Sequence, residues 1–189
     1  MIKHVVNAGN ESDDINAALA GFLEQFCRKI ESELGGRLLM PAYTLSAGQQ
    51  EELYALGYGY YSQGRYLDAA KLFWQLLRQD CAQARYYKAA GACMQMLRHY
   101  EQAMLAYGVA SLFDPHDPTL LFYLAQCFRA VGCAPEAAQA LQTFLADTAG
   151  SVPHHAMREQ AASLLASIAQ SPQGNHSIRR KDEQRNRNP

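Results

Sequence analysis

Three tyrosines with helical spacing are the side chains in this sequence best suited to recognising another molecule. Tyr54, Tyr58 and Tyr61 are separated by four and then three residues, so on a helix they lie on one face. Phenol rings offer flat apolar surface with a hydroxyl at the edge, which suits an extended, proline-containing peptide. The spacing therefore predicts a binding surface. The alternative that the sequence leaves open is that Tyr58 or Tyr61 packs against the first helix and is core.

Two further helices are predicted to continue this surface. In each of them, the residues that directly follow the packing positions do not pack on a neighbouring helix and therefore line the same face. These are Lys88, Ala92 and Gln95 in one helix and Phe122, Gln126 and Arg129 in the other, with Glu51, Arg85 and Thr119 expected at the rim. The side-chain amides of Gln95 and Gln126 can donate to and accept from a peptide backbone. The predicted surface thus combines aromatic area with hydrogen-bonding groups.

The sequence has no constellation typical of catalysis or metal binding. His154 and His155 are adjacent, so on a helix they point to different sides, and the spacings of zinc ligands are missing. Gly35-Gly36 is typical of a helix end rather than of a phosphate-binding loop, and no Gly-x-Ser-x-Gly occurs. We therefore expect no enzymatic activity, no cofactor and no metal ion.

The overall composition is that of a globular, nearly neutral chain. Its 189 residues include 17 Lys plus Arg and 18 Asp plus Glu, which disfavours a broad nucleic-acid surface. No apolar run approaches the roughly 18 to 20 residues of a membrane helix, and no secretory leader is visible, so we expect a cytosolic protein without stable membrane insertion. The five cysteines (Cys27, Cys81, Cys93, Cys127 and Cys133) are expected to be reduced, small buried hydrophobes.

The two ends of the chain are predicted to differ from its middle. Residues 1–12 are polar and expected to be flexible, and 13–46 are expected to form an amphipathic helix followed by a short docking segment at 38–41. Ile15, Leu19, Phe22 and Phe26 recur at helical spacing along that helix. Residues 171–189 carry five basic and two acidic residues with one large apolar side chain, and we expect a disordered basic tail.

The middle of the chain repeats itself at an interval of 34 residues. Large apolar positions recur at Leu53, Tyr87 and Leu121, at Leu56, Ala90 and Leu124, at Tyr60, Met94 and Phe128, and at Phe73, Tyr107 and Leu141. Small residues recur at Gly57, Gly91 and Ala125 and at Ala69, Ala103 and Ala137, and turns fall at Gly64, Arg98 and Gly132. Ser46 and Gln49 fit a capping box at the start of the first unit.

This interval and these residue types resemble the tetratricopeptide repeat. The resemblance predicts an all-α helical solenoid of three repeats within 47–149, at about 50–83, 84–117 and 118–149. An N-terminal helix would precede them, and a capping helix would follow at 150–170, from about His154 to Gln170. Each unit would be an antiparallel helix pair, with small residues where its helices cross closest. Stacking would make one continuous core, and stacked units curve.

The local motifs resemble a narrower family. Glu52-Leu-Tyr-Ala-Leu-Gly-Tyr, then Gln63-Gly-Arg-Tyr-Leu-Asp-Ala-Ala-Lys-Leu-Phe, Gly91-Ala-Cys-Met-Gln and Ala125-Gln-Cys-Phe are similar to the class II chaperones of bacterial type III secretion, the SycD/LcrH group. The resemblance implies a bacterial cytoplasmic chaperone that sequesters hydrophobic translocator proteins before export. It implies that the concave groove takes an extended proline-containing segment of the translocator, with the tyrosine stripe in the first repeat.

The same resemblance implies further partners. It implies a homodimer to which the N-terminal helix contributes, through Ile15, Leu19, Phe22 and Phe26, and in some members a transcription activator as partner. The first alternative is a generic repeat adaptor, for example one that grips an acidic C-terminus. Its clamp needs Lys, Asn and Arg where this chain has Tyr54, Tyr58, Ala89, Thr119 and Tyr123. A repeat scaffold with enzymatic activity is the least favoured alternative.

Overall fold

The structure is a computed structural model that describes residues 44–170, and this part of the chain is all-helical. It has seven α-helices, a 3-10 turn at Val152–His154 and no strand. The helices are α1 (Ala47–Ser62), α2 (Tyr66–Gln79), α3 (Ala84–Met96), α4 (Tyr100–Phe113), α5 (Thr119–Ala130), α6 (Ala134–Asp147) and α7 (His155–Gln170). The predicted fold class is thereby confirmed. The chain divides into two compact units after Leu120.

Several predictions fall on residues that the structure does not describe. They are the flexible 1–12, the N-terminal helix with Ile15, Leu19, Phe22 and Phe26, the docking segment 38–41, Cys27 and the basic tail 171–189. These remain predictions.

The start of α1 has the predicted capping box. The Ser46 hydroxyl accepts from the Gln49 backbone N–H at 3.3 Å, and the Gln49 side chain accepts from the Ser46 backbone N–H at 2.9 Å. Two of the N–H groups that every helix start leaves unpaired are thus satisfied. The helix therefore begins at a defined residue, which fixes the register of the tyrosines along it.

The turns within the helix pairs repeat at the predicted interval. Gly64, Arg98 and Gly132 all have positive φ, at 78°, 64° and 84°. In each turn the next residue donates its backbone N–H five residues back, as Arg65 does to the Tyr60 carbonyl at 2.9 Å. This bond reverses the chain tightly and needs a left-handed residue. Glycine adopts that conformation without strain, whereas Arg98 does so at a cost.

In the first unit, α1 packs on α2, α2 on α3 and α3 on α4. Ala69 and Ala103 are fully buried, as predicted. Gly57 and Gly91 each lie against a ring of the neighbouring helix, so the small-residue column makes room for an aromatic side chain. The sequence predicts small residues here because the helices cross closely. The structure gives a more specific reason, which is room for the aromatic ring.

The predicted packing residue Leu56 is exposed rather than buried. Leu56 is 48% exposed, whereas Ala90, at the same position of the next repeat, is fully buried. The helix of Ala90 is flanked by α2 and α4, but no described helix precedes α1. The prediction that Leu56 packs in the interior is wrong for the described part of the chain.

The second unit, residues 121–170, has its own core. Phe122, Ala125, Leu141, Phe144 and Ala161 cluster there, with Leu164, Leu165 and Ile168 of α7 packed against them. Pro135 lies in the first turn of α6, as predicted. Arg158 of α7 donates to the Leu145 carbonyl at 2.7 Å and to the Thr148 hydroxyl at 3.2 Å, joining α7 to the end of α6.

Candidate peptide-binding surface

The tyrosine stripe lies on α1, and its three members differ in exposure. Tyr58 is 63% exposed, whereas Tyr54 and Tyr61 are half-buried. The Tyr61 ring meets Tyr66 edge-on at 5.3 Å between centroids. Tyr58 is thus not part of the core that the described residues form, and the first helix, on which the alternative has Tyr58 or Tyr61 pack, lies outside them. The stripe therefore presents one open ring beside two that are partly packed.

Tyr54 sits between three other side chains. Its ring centroid lies 5.5 Å from that of Phe73 in α2 and 5.7 Å from that of Tyr86 in α3. The guanidinium carbon of Arg85 lies 5.0 Å from the Tyr54 centroid. Burial raises the pKa of Tyr54 above its ordinary value, and the positive charge of Arg85 offsets part of that rise. The ring is thus held in place and remains a neutral phenol at pH 7.

The predicted rim residues Glu51 and Arg85 form a bridge between α1 and α3. Arg85 donates from Nη1 to Glu51 Oε1 at 3.2 Å and from Nη2 to Glu51 Oε2 at 2.7 Å. These bonds raise the pKa of Arg85 further above its already high value. Since Glu51 and Arg85 are 34 residues apart, the bridge joins equivalent positions of successive repeats.

The predicted residues of α3 are held by partners within the first unit. Lys88 donates to Asp117 at 2.5 Å and to the Thr119 hydroxyl at 2.6 Å. Burial alone would favour the neutral acid, but the bonds from Lys88 and Thr119 hold the pKa of Asp117 below its ordinary value. The structure thus pairs the charge of Lys88 with that of Asp117.

Gln95 and Ala92 complete the predicted set on α3. Gln95 accepts a hydrogen bond at 2.9 Å from the Tyr107 hydroxyl, and Ala92 is half-buried. The Tyr107 ring also lies against Gly91. One buried tyrosine of α4 therefore fixes the position of the Gln95 side chain.

In the second unit, the three residues predicted to lie on the surface differ in burial. Phe122 is only 3% exposed, and its ring lies 5.5 Å from that of Phe144. The expected exposed position of Phe122 is therefore wrong, because the repeat pattern takes no account of the core that α6 and α7 supply. Gln126 is half-buried and Arg129 is exposed.

Sequence reasoning missed the residues that support the surface. Asp117 was not singled out, although an Asp two residues before a helix start is a recognisable capping signal, and it accepts from the Thr119 N–H at 3.0 Å. Phe73 and Tyr107 were identified as packing positions only, and Tyr86 was not identified. All four residues touch a side chain of the predicted surface.

The thiols of this region are suited to packing rather than to reaction. Cys93 and Cys127 are buried, and burial raises the pKa of each thiol to about 12. A thiol with that pKa stays protonated near neutral pH and is a poor nucleophile. Cys81 and Cys133 are half-buried, which is less than predicted.

Two other kinds of feature are absent from residues 44–170. No group of three or more His, Cys, Asp or Glu side chains there could hold a metal ion. No helix among these residues is both long enough and apolar enough to cross a membrane.

Comparison with known proteins decides the family. Over 116 residues the chain is 31% identical to the Low calcium response locus protein H of Yersinia pestis, covering 60% of this chain and 69% of the relative. The chain belongs to the class II translocator chaperones of type III secretion. The homologues are chaperones and not enzymes. No general family model matches the sequence.

Solved structures of these chaperones have the same fold. SycD of Yersinia enterocolitica, in complex with a peptide of the translocator YopD, is 28% identical with a TM-score of 0.63, over 66% of this chain and 95% of SycD. PcrH in complex with the chaperone binding region of PopD is 33% identical with a TM-score of 0.64, over 68% and 97%. SycD of Yersinia enterocolitica has also been solved as an alternative dimer.

Proposed function

We propose that this protein is a bacterial cytoplasmic chaperone that holds hydrophobic translocator proteins before their export by type III secretion. It binds an extended, proline-containing segment of the translocator on the face of α1 and α3 that carries Tyr54, Tyr58, Ala92 and Gln95. The observation that carries this proposal is the 63% exposed ring of Tyr58 beside the held ring of Tyr54. Its relative SycD has been solved with a translocator peptide bound.

The charges near this face favour an apolar guest over an acidic one. Arg85 is paired with Glu51, and Lys88 is paired with Asp117. An acidic peptide would have to displace a carboxylate that already holds each cation, so it gains little from either. A neutral segment with proline and apolar side chains needs no such exchange. This disfavours a generic adaptor for acidic C-termini, which is the second candidate.

The proposed chaperone function requires binding of the translocator and no chemical reaction. A translocator that must enter a membrane exposes apolar surface, which aggregates when it is free in water. A partner that binds this surface stabilises the soluble form by mass action, and a moderate affinity still allows release at export. No catalytic group is required, so we propose that the protein is not an enzyme.

Two partners beyond the translocator belong to the proposal through the resemblance alone. A homodimer would involve Ile15, Leu19, Phe22 and Phe26, and a transcription activator could associate with the chaperone. For the dimer, Leu19→Glu or Phe22→Glu is expected to shift the protein toward monomer in sedimentation velocity. An unchanged sedimentation profile would show that these residues do not contribute to a dimer interface.

Co-expression tests the proposed function. A hydrophobic translocator encoded in the same bacterium is expected to stay in the soluble fraction with the wild-type chain and to precipitate without it. Tyr58→Ala should reduce the soluble fraction, and adding Tyr54→Ala should reduce it further. The control is Leu112→Ala, which removes a 77% exposed side chain from α4. Equal precipitation with and without the wild-type chain would contradict the proposal.

A further inference from the structure

Arg85 makes three kinds of contact at the edge of the proposed face. It binds both carboxylate oxygens of Glu51 in α1, at 3.2 and 2.7 Å. Its guanidinium carbon lies 5.0 Å from the centroid of Tyr54 and 5.0 Å from that of Tyr86, and its Nη2 donates to the Tyr86 hydroxyl at 3.3 Å. One side chain of α3 thereby joins a carboxylate and a ring of α1 to its own helix.

Arg85 is one of three side chains that contact the Tyr54 ring. Phe73 and Tyr86, which also touch that ring, are 1% exposed, so they form its inner boundary. The Arg85 side chain is 44% exposed and forms the outer boundary. Removing the guanidinium would open the outer side and allow the Tyr54 ring to take other rotamers.

The chemistry of these contacts requires arginine. A planar guanidinium can bind a carboxylate through two parallel bonds while its face lies over an aromatic ring. A lysine ammonium at the same place would keep the charge but could not do both, because it is a point charge on a flexible chain.

A role in stability does not account for these contacts well. The Glu51 and Arg85 side chains are 60% and 44% exposed, and ion pairs of that exposure contribute little to the free energy of unfolding. The fixed orientation of the ring is the larger consequence, since a ring held in its bound rotamer loses less entropy when a ligand arrives.

We propose that Arg85, anchored by Glu51, is a positioning residue that fixes the Tyr54 ring in the orientation that receives the translocator segment. The inference rests on the proposed function, since it assigns Arg85 a part in that same face. Arg85 acts through Tyr54 and not through its own contact with the guest.

The first test needs no translocator. The full chain is labelled with ¹³C at the tyrosine Cζ atoms, and Tyr54→Phe assigns the Tyr54 resonance. Arg85→Lys, and independently Glu51→Gln, should shift or broaden that resonance while the denaturation midpoint changes little. Arg78→Lys, the same exchange at an exposed site in the last turn of α2, is the control and should leave the resonance unchanged. An unmoved Tyr54 resonance in both variants overturns the inference.

The second test is a double-mutant cycle on binding of a synthetic translocator segment. Arg85→Lys alone should weaken binding by about three- to tenfold, the range expected when one oriented aromatic contact is lost. In the Tyr54→Ala background the same exchange should have no effect, because the ring that it positions is gone. Equal losses in both backgrounds would mean that Arg85 contacts the guest directly, which overturns the positioning role. If the wild-type chain binds no segment, the proposed function fails, and the resonance test still decides whether Arg85 orients the ring.

Discussion

In α1, Gly57 leaves the room that the ring of Phe73 occupies, since a Cβ atom at position 57 would lie 2.8 Å from Cε1 of that ring. The same relationship recurs one repeat later, where a Cβ atom at Gly91 would lie 2.9 Å from Cε1 of Tyr107. Carbon atoms in a packed interior do not approach so closely without displacement. A glycine on the first helix of a pair thus accommodates an aromatic ring on the second.

We predict that Gly57→Ala destabilises the fold by about 1 to 3 kcal/mol, because the buried Phe73 ring must move. The third repeat has Ala125 and Leu141 at these positions, so adding Phe73→Leu to Gly57→Ala should recover part of the loss. Chemical denaturation of the single and double variants measures both effects.

The control for this prediction lies two residues away on the same helix. Gly59→Ala adds a methyl group where no atom lies within 4 Å, so it should raise the free energy of unfolding by about 0.5 to 1 kcal/mol through helix propensity. If Gly57→Ala proved as stable as Gly59→Ala, the packing explanation of the small-residue column would be wrong.

The left-handed turn residue Arg98 gives a prediction of opposite sign. Its φ of 64° is one that glycine adopts at Gly64 and Gly132. Arg98→Gly should therefore stabilise the fold by about 0.5 to 1 kcal/mol, the relief of strain less the entropy of a glycine in the unfolded chain. Thermal and chemical unfolding measure the change. A destabilised Arg98→Gly variant would show that the Arg98 side chain contributes more than its backbone strain costs.

The Lys88–Asp117 pair makes stability depend on pH. The pKa of Asp117 is lowered in the folded state, so its contribution is present above the unfolded pKa of about 3.9 and is lost as pH falls through the folded value. At pH 7, Asp117→Asn should lower the free energy of unfolding by about 1 kcal/mol, and the difference from wild type should disappear in acid. A double-mutant cycle with Lys88→Met isolates the pair, and a difference that persists unchanged at low pH would contradict this origin.

The two buried thiols predict resistance to alkylation. With a pKa of about 12 in the folded state, Cys93 and Cys127 stay protonated while thiols of ordinary pKa begin to ionise. The stability that the two buried, protonated thiols contribute is therefore fully present below the pKa of a thiol in the unfolded chain, and it is lost as pH rises toward 12. Pulse labelling with iodoacetamide at pH 8, read by mass spectrometry, should modify Cys93 and Cys127 only when the chain is unfolded. Rapid labelling of either residue in the native protein would contradict their burial.

The sequence predicts this fold well because the 34-residue interval reflects residue types within each repeat. Helix pairs, the positions of the turns and the Ser46 capping box all follow from residue types at fixed spacing, and the structure has each of them. The tyrosine stripe of α1 is predicted by the same reasoning, and its member Tyr58 is 63% exposed; that the stripe binds a peptide stays a prediction. The 34-residue interval and the helical spacing within each repeat are both visible in a single sequence.

The errors arose where residues depend on elements outside the repeat. Phe122 has the register of Tyr54 but is buried, because the core it joins includes α7, a helix that has no counterpart in the repeat. Leu56 has the register of Ala90 but is exposed, because no described helix covers it. The contacts of Arg85 with Tyr54 and Glu51 depend on rotamers, which a spacing pattern does not specify.

The most direct test of the account is the affinity of the full chain for a synthetic proline-containing segment of its translocator, measured by isothermal titration calorimetry. We predict saturable binding by the wild-type chain and at least about tenfold weaker binding by Tyr58→Ala, a change of about 1.4 kcal/mol. The exposed α4 control Leu112→Ala should bind as the wild type does. Equal dissociation constants for wild type and Tyr58→Ala would contradict the claim that the face of α1 and α3 receives the translocator.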